Sequence, residues 1–107
     1  MITVLSRFEM QKGKEIQAVE AIKKMAQAVH DEEPGCLMYT VTRGQVNGQE
    51  IYVYEVYDDD AAFQAHRKTE HVRELQKVFD ETLDRSSFNV ELLNVVAGFI
   101  RHKVATD

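Results

Sequence analysis

The chain has 107 residues, room for one apolar core and too few for a barrel enzyme or a two-domain dinucleotide enzyme. Apolar residues make up 44% and charged residues 29%, a balance that folds rather than staying disordered. Thirteen Lys and Arg against eighteen Asp and Glu leave a formal charge of -5, which repels phosphate backbones and anionic lipid, so no nucleic acid and no membrane is expected as a partner.

No apolar run approaches the roughly 20 residues that span a bilayer, and Met1 to Met10 lacks the basic-then-apolar pattern of a secretory signal. The expected compartment is cytoplasmic. A single cysteine, Cys36, can form neither an internal disulfide nor a Cys-rich zinc site.

Residues 2–9 are rich in β-formers and run toward Gly13, which predicts a strand and a turn. From Lys14 the period changes: Ile16, Val19, Ile22, Ala26 and Val29 recur every three or four residues, predicting an amphipathic helix that ends near Asp31, ahead of Pro34 and Gly35. Cys36 to Arg43 and Ile51 to Tyr57 read as strands joined by a hairpin containing Asn47-Gly48, hence antiparallel neighbours. Asp58, Asp59 and Asp60 suit a helix start, and a short helix is expected over 60–67. Thr69 is the expected N-cap of a longer helix with Val72, Leu75, Val78 or Phe79, and Leu83 as its buried stripe. Phe88 to Ile100 is a β-rich run that predicts the last strand, with a bend near Gly98 or a reach onto a partner because its full extent would be about 40 Å.

The order strand, helix, strand, strand, helix, strand makes two split βαβ units. The expected fold is α+β: a single-domain ferredoxin-like βαββαβ plait over 1–107, with a four-stranded antiparallel sheet and the helices on one face. A solitary plait needs strands that alternate apolar and polar, since one sheet face meets water. Here Ile51, Val53 and Tyr57 share one parity of their strand while Tyr52, Tyr54 and Val56 share the other, and the last strand is apolar on both sides across Leu93, Val95, Val96 and Ala97. Two-faced strands of this kind predict a symmetric homodimer with sheets packed face to face.

His66, three residues after Phe63 and four after Ala62, falls on the helix stripe that faces the sheet, where an imidazole beside a carboxylate accepts protons near neutral pH. Glu55 is the candidate carboxylate, because it interrupts the apolar parity of Ile51 and Val53. His71, in the first turn after Thr69, is placed to bind a ligand oxygen, and Arg67, Lys68, Arg73 and Lys77 could draw in an anion. The five-residue spacing of His66 and His71 across a helix break is no zinc signature, so no metal site is expected. Phosphate loops and Ser-His-Asp nucleophile sets are absent from the sequence.

Glu33-Pro34-Gly35-Cys36 leading into a strand, Tyr54-Glu55-Val56-Tyr57-Asp58-Asp59, and Ala61-Ala62-Phe63-Gln64-Ala65-His66 followed by Thr69 and His71 together resemble the antibiotic biosynthesis monooxygenase (ABM) family, over nearly the whole chain. The resemblance implies a dimeric α+β barrel of two ferredoxin-like subunits. It also implies one of three activities: cofactor-independent oxidation of quinols or phenols, haem degradation, or isomerisation of a phosphorylated signal. The haem degraders depend on a tryptophan, and the chain has none. Many members carry a proline between the positions of Thr69 and His71, where this chain has Glu70.

The expected function is a small monooxygenase that oxidises a quinol or phenol with dioxygen and needs no cofactor. His66 and Glu55 are its expected catalytic residues. His71, Tyr39, Phe63, Arg67 and Arg73 would contact a small aromatic, quinol-like substrate. Alternatives are an isomerase or degrading enzyme for a small signal molecule, phosphorylated or not, with Arg67, Lys68 and Arg73 as its anion site, and a noncatalytic dimeric module that binds a small ligand.

Overall fold

The computed structural model describes residues 1–101. Alternating β-formers make Ile2–Met10 the strand β1, with Val4, Ser6, Phe8 and Met10 turned inward. The helix α1 follows over Glu15–Glu32 and buries Ala18, Ile22, Met25 and Val29. Ile16, expected on that stripe, is 82% exposed. It lies two residues before Ala18, and at 3.6 residues per turn that is about 200° around the helix, the solvent side.

The strands β2 (Cys36–Arg43) and β3 (Glu50–Tyr57) form the expected hairpin. After them come the short helix α2 (Asp60–Arg67), the helix α3 (Glu70–Thr82) and the strand β4 (Leu83–Leu93). The sheet is antiparallel in the order β2-β3-β1-β4, the ferredoxin-like arrangement. One continuous core joins Phe8 and Met10 of β1, Ile51 and Val53 of β3, Ile22 of α1 and Phe79 of α3.

The last strand departs from expectation at both ends. It begins at Leu83, directly after α3, so Leu83 is buried as a strand residue paired with Met10 rather than on the helix stripe. The polar run Asp84-Arg85-Ser86-Ser87 hides this start from sequence patterning. A register shift against β1 absorbs it, and the Ser87 hydroxyl accepts from the Glu9 amide at 2.8 Å. Beyond Leu93 the chain leaves the sheet. Val95, Val96, Phe99 and Ile100 are exposed, and Gly98 has φ of 124°, a backbone turn that favours glycine.

The sheet face away from the helices is apolar at one end, where Leu5 pairs with Tyr54, and charged at the other, where Arg7 bonds Glu50. No helix of the described residues is long and apolar enough to cross a membrane.

Gly35 sets the approach of α2 to β2. A Cβ at that position would stand 2.7 Å from the Ala62 Cβ, and the Gly35 carbonyl accepts from the Asp58 amide at 2.9 Å. Gly35→Ala should therefore push α2 outward and destabilise the fold by roughly 1–3 kcal/mol, read by urea denaturation; an unchanged midpoint would show that the contact relaxes freely.

Candidate active site

Three chain segments converge beneath α2. Asp59 caps α2 by accepting from the Ala62 amide, which fixes the helix that carries His66 in its last turn. Thr69 caps α3 by accepting from the Val72 amide, and its hydroxyl donates to the His66 carbonyl at 2.8 Å. That double role stitches the end of α2 to the start of α3, so His66 and His71 keep a fixed spacing. Glu33 stands at the C-terminal cap of α1, its amide bonded to Val29 and its carbonyl accepting from the Cys36 amide.

The Glu33 carboxylate bridges the two histidines. His66 Nδ1 lies 2.9 Å from Oε1 and 3.0 Å from Oε2, and His71 Nε2 lies 2.5 Å from Oε2. On the other side of the His66 ring, Nε2 stands 3.6 Å from Glu55 Oε1, which accepts from the Tyr57 hydroxyl at 2.6 Å. His71 Nδ1 faces Glu32 at 3.8 Å. The side chains of His66, Glu55, Glu33 and His71 are only 9%, 9%, 10% and 13% exposed, whereas Glu32 is 67% exposed. The result is a polar line running from the surface carboxylate of Glu32 through His71, Glu33 and His66 to the buried Glu55–Tyr57 pair.

Burial pushes the Glu55 carboxyl above the usual carboxylate range, partly offset by the Tyr57 hydrogen bond and the His66 ring. Burial, with Glu55 nearby, also raises the Tyr39 and Tyr57 hydroxyls far above the ordinary phenol range, so both are donors and not bases. The Cys36 thiol is pushed up to about 12 by burial and by Glu33 and Glu55, which denies it a role as a neutral-pH nucleophile.

Of the residues singled out in the sequence, His66, Glu55, His71 and Tyr39 come together; the rings of Tyr39 and His71 lie 6.1 and 6.4 Å from that of His66. Phe63 packs at 5.3 Å on Tyr57, whose ring lies 5.3 Å from His66. Arg67 is exposed over the Phe63 ring, and Arg73 bonds the Lys68 carbonyl; neither pairs with the carboxylates of the cluster.

Sequence reasoning missed Glu33 as a site residue. The available signal is physical: α1 ends in Asp31, Glu32 and Glu33, negative charge at the end of a helix where the dipole disfavours it. A groove between α1 and α3, lined by Met25, Ala28, Glu32, Thr69, His71 and Leu75, brings solvent to the His71 side of the cluster.

The sequence model for antibiotic biosynthesis monooxygenases matches residues 1–78, the stretch that carries Glu33, Glu55, His66 and His71. The chain belongs to this family. An ABM-family candidate from Caulobacter crescentus is 25% identical, with 90% of each chain covered and a TM-score of 0.84. A second, from Bacteroides thetaiotaomicron, superposes over 95% of each chain at a TM-score of 0.85 and 17% identity, a likeness of fold. A candidate monooxygenase from Lactobacillus acidophilus is 27% identical at a TM-score of 0.81 and covers 87% of this chain, which spans 43% of that one. No curated protein matches the sequence. Membership of the ABM family supports monooxygenase activity at the family level.

Proposed function

We propose that this ABM-family chain is a cofactor-independent monooxygenase that oxidises a quinol or phenol with dioxygen, with His66 as the proton acceptor. The observation that carries the reading is the buried His66 ring, held at Nδ1 by Glu33 and turned at Nε2 toward Glu55, Tyr39 and Tyr57. A phenol ionises near pH 10, as tyrosine does, so a fixed base is needed to form the electron-rich anion at neutral pH. With Nδ1–H donated to Glu33, Nε2 is the free acceptor. The anion then reduces dioxygen directly.

The reaction balances without an outside reductant. One phenol and one dioxygen give one quinone and one water, with the substrate supplying all four electrons. Glu33, which touches both histidines, offers the proton a way back to the groove through His71. Phe63, half-buried between Tyr57 and Arg67, is the wall that a substrate has to displace. The closed surroundings favour productive encounter over loss of the intermediate to water.

A homodimer is part of the proposal. Tyr54 and Leu93 expose apolar surface on the sheet face away from the helices, Val90 and Leu92 expose it on the other face of the edge strand, and Val95, Val96 and Phe99 are exposed beyond that strand. Light scattering should give twice the 12.3 kDa of one chain.

The activity test is oxygen consumption with a panel of quinols and phenols, chelator present throughout. One dioxygen consumed per quinone formed is the expected result. No uptake with any member of the panel overturns the assignment.

A further inference from the structure

We propose that Glu33, His66 and His71 form a binding site for a first-row divalent transition-metal ion, with Zn²⁺ as its convenient probe. One oxygen of Glu33 and one ring nitrogen of each histidine lie within 4.8 Å of one another. The three come from the end of α1, the end of α2 and the first turn of α3, so the chain has already met the entropic cost of gathering them. Two imidazoles and one carboxylate are the donor set that suits zinc and iron, and three protein ligands leave a position open to solvent. The groove beside His71 supplies that solvent.

Two further observations point to a cation. The first is the arrangement behind the ligands: His66 would bind through Nδ1 and His71 through Nε2, and the remaining nitrogen of each ring faces a separate carboxylate. Glu55 lies 3.6 Å from His66 Nε2, and Glu32 lies 3.8 Å from His71 Nδ1. A carboxylate hydrogen-bonded behind a metal-bound histidine holds its ring and tautomer, and each ring here has a carboxylate within a few tenths of an ångström of that distance. The second is charge. Among the described residues, no Lys or Arg lies within ion-pair distance of Glu33 or Glu55; their only ion-pair partners are the histidines, with the neutral Tyr57 hydroxyl donating to Glu55. A divalent ion would compensate that charge where the hydrogen bonds to Glu33 now do so in part.

The spacing of His66 and His71 gave no hint of such a site, because the third ligand lies 33 residues upstream of His66. Binding moves a proton and forms no covalent product: the N–H of each ring shifts from the Glu33 side to the Glu55 or Glu32 side, and the vacated nitrogen takes the metal. A His66 ring so bound has no free nitrogen with which to accept a proton from a phenol. The ion is therefore an inhibitor of the proposed oxidation, and its binding is measured without turnover.

Chelator-stripped full-length protein is titrated with Zn²⁺ by calorimetry at physiological salt, and with Co²⁺ by visible absorption. One ion per chain with micromolar or tighter affinity, and a cobalt d–d spectrum with nitrogen and oxygen ligands, is expected. Glu33→Gln and His71→Ala should each weaken binding by about 100-fold or more, while His30→Gln, which changes a surface histidine paired with Asp31, leaves it unchanged. No stoichiometric binding by the unaltered protein up to about 100 μM Zn²⁺, or equal affinity in the Glu33, His71 and His30 variants, overturns the site. Because the unaltered protein gives the first answer, a variant that misfolds does not shelter the proposal. Failure of this test leaves the oxidation assignment standing, and failure of oxygen uptake in chelator leaves the metal site standing.

Discussion

His66→Gln should lower oxygen uptake on an active phenol by about 10²–10⁴-fold, the usual worth of a positioned proton acceptor, while the chain remains folded. Glutamine keeps polar atoms near Glu33 and Glu55, and these carboxylates also retain His71 and the Tyr57 hydroxyl as partners. Glu33→Gln should act in the same direction through the ring it holds: an amide offers Nδ1 one neutral oxygen or an N–H in place of a charged carboxylate, so the tautomer that leaves Nε2 free is favoured less strongly. Both losses should fall on kcat more than on KM, because the ring acts on the reacting hydroxyl. They should also shrink as pH rises toward about 10, where the phenol ionises without help. Unchanged turnover by His66→Gln at neutral pH would remove His66 from the reaction. A loss that stays constant up to pH 10 would assign the residue a role in binding instead.

Much of this architecture is legible in the residues. The change of period after Gly13, the Asn47-Gly48 hairpin and the Asp59 and Thr69 caps are local features, and local chemistry fixes them. The end strand starts earlier than its β-rich run implies because its first residues, Asp84 to Ser87, owe their extended state to contacts with β1 and not to their own preference. Ile16 lies outside the buried stripe for a related reason: spacing identifies a stripe, but only the packed face tells which apolar residue falls beyond it.

The site divides along the same line. His66 and Glu55 stand out within their own elements as polar residues on apolar stripes. Glu33 lies in a turn, where a carboxylate is ordinary, and its contact with His66 crosses 33 positions. The cost of a negative charge at the end of α1 was visible, but its compensation by two histidines depends on the tertiary fold.

Phe8→Ala should be the most destabilising single truncation in the core. Phe8 is 2% exposed, pairs with Ile51 across the sheet, and sets its ring 5.1 Å from Phe79 and 5.2 Å from Phe88. Its removal opens a cavity where β1, α3 and β4 meet, and the pairing of β1 with β3 at Ile51 and with β4 on either side of the register shift limits how far the sheet can close over it. Such truncations cost about 3–5 kcal/mol, a large part of the roughly 5–15 kcal/mol that holds a domain of this size. The Tm should fall by on the order of 20 °C. Ile16→Ala deletes a similarly apolar side chain from the exposed side of α1 and should change stability by less than about 0.5 kcal/mol. Phe88, 36% exposed and stacked on Phe8, should fall between them. Its truncation should also couple to that of Phe8, because removing either ring strips a contact from the other. Equal denaturation midpoints for Phe8→Ala and Ile16→Ala would mean that the core does not close around β1. The burial of His66 beneath the helices would then lose its support as well.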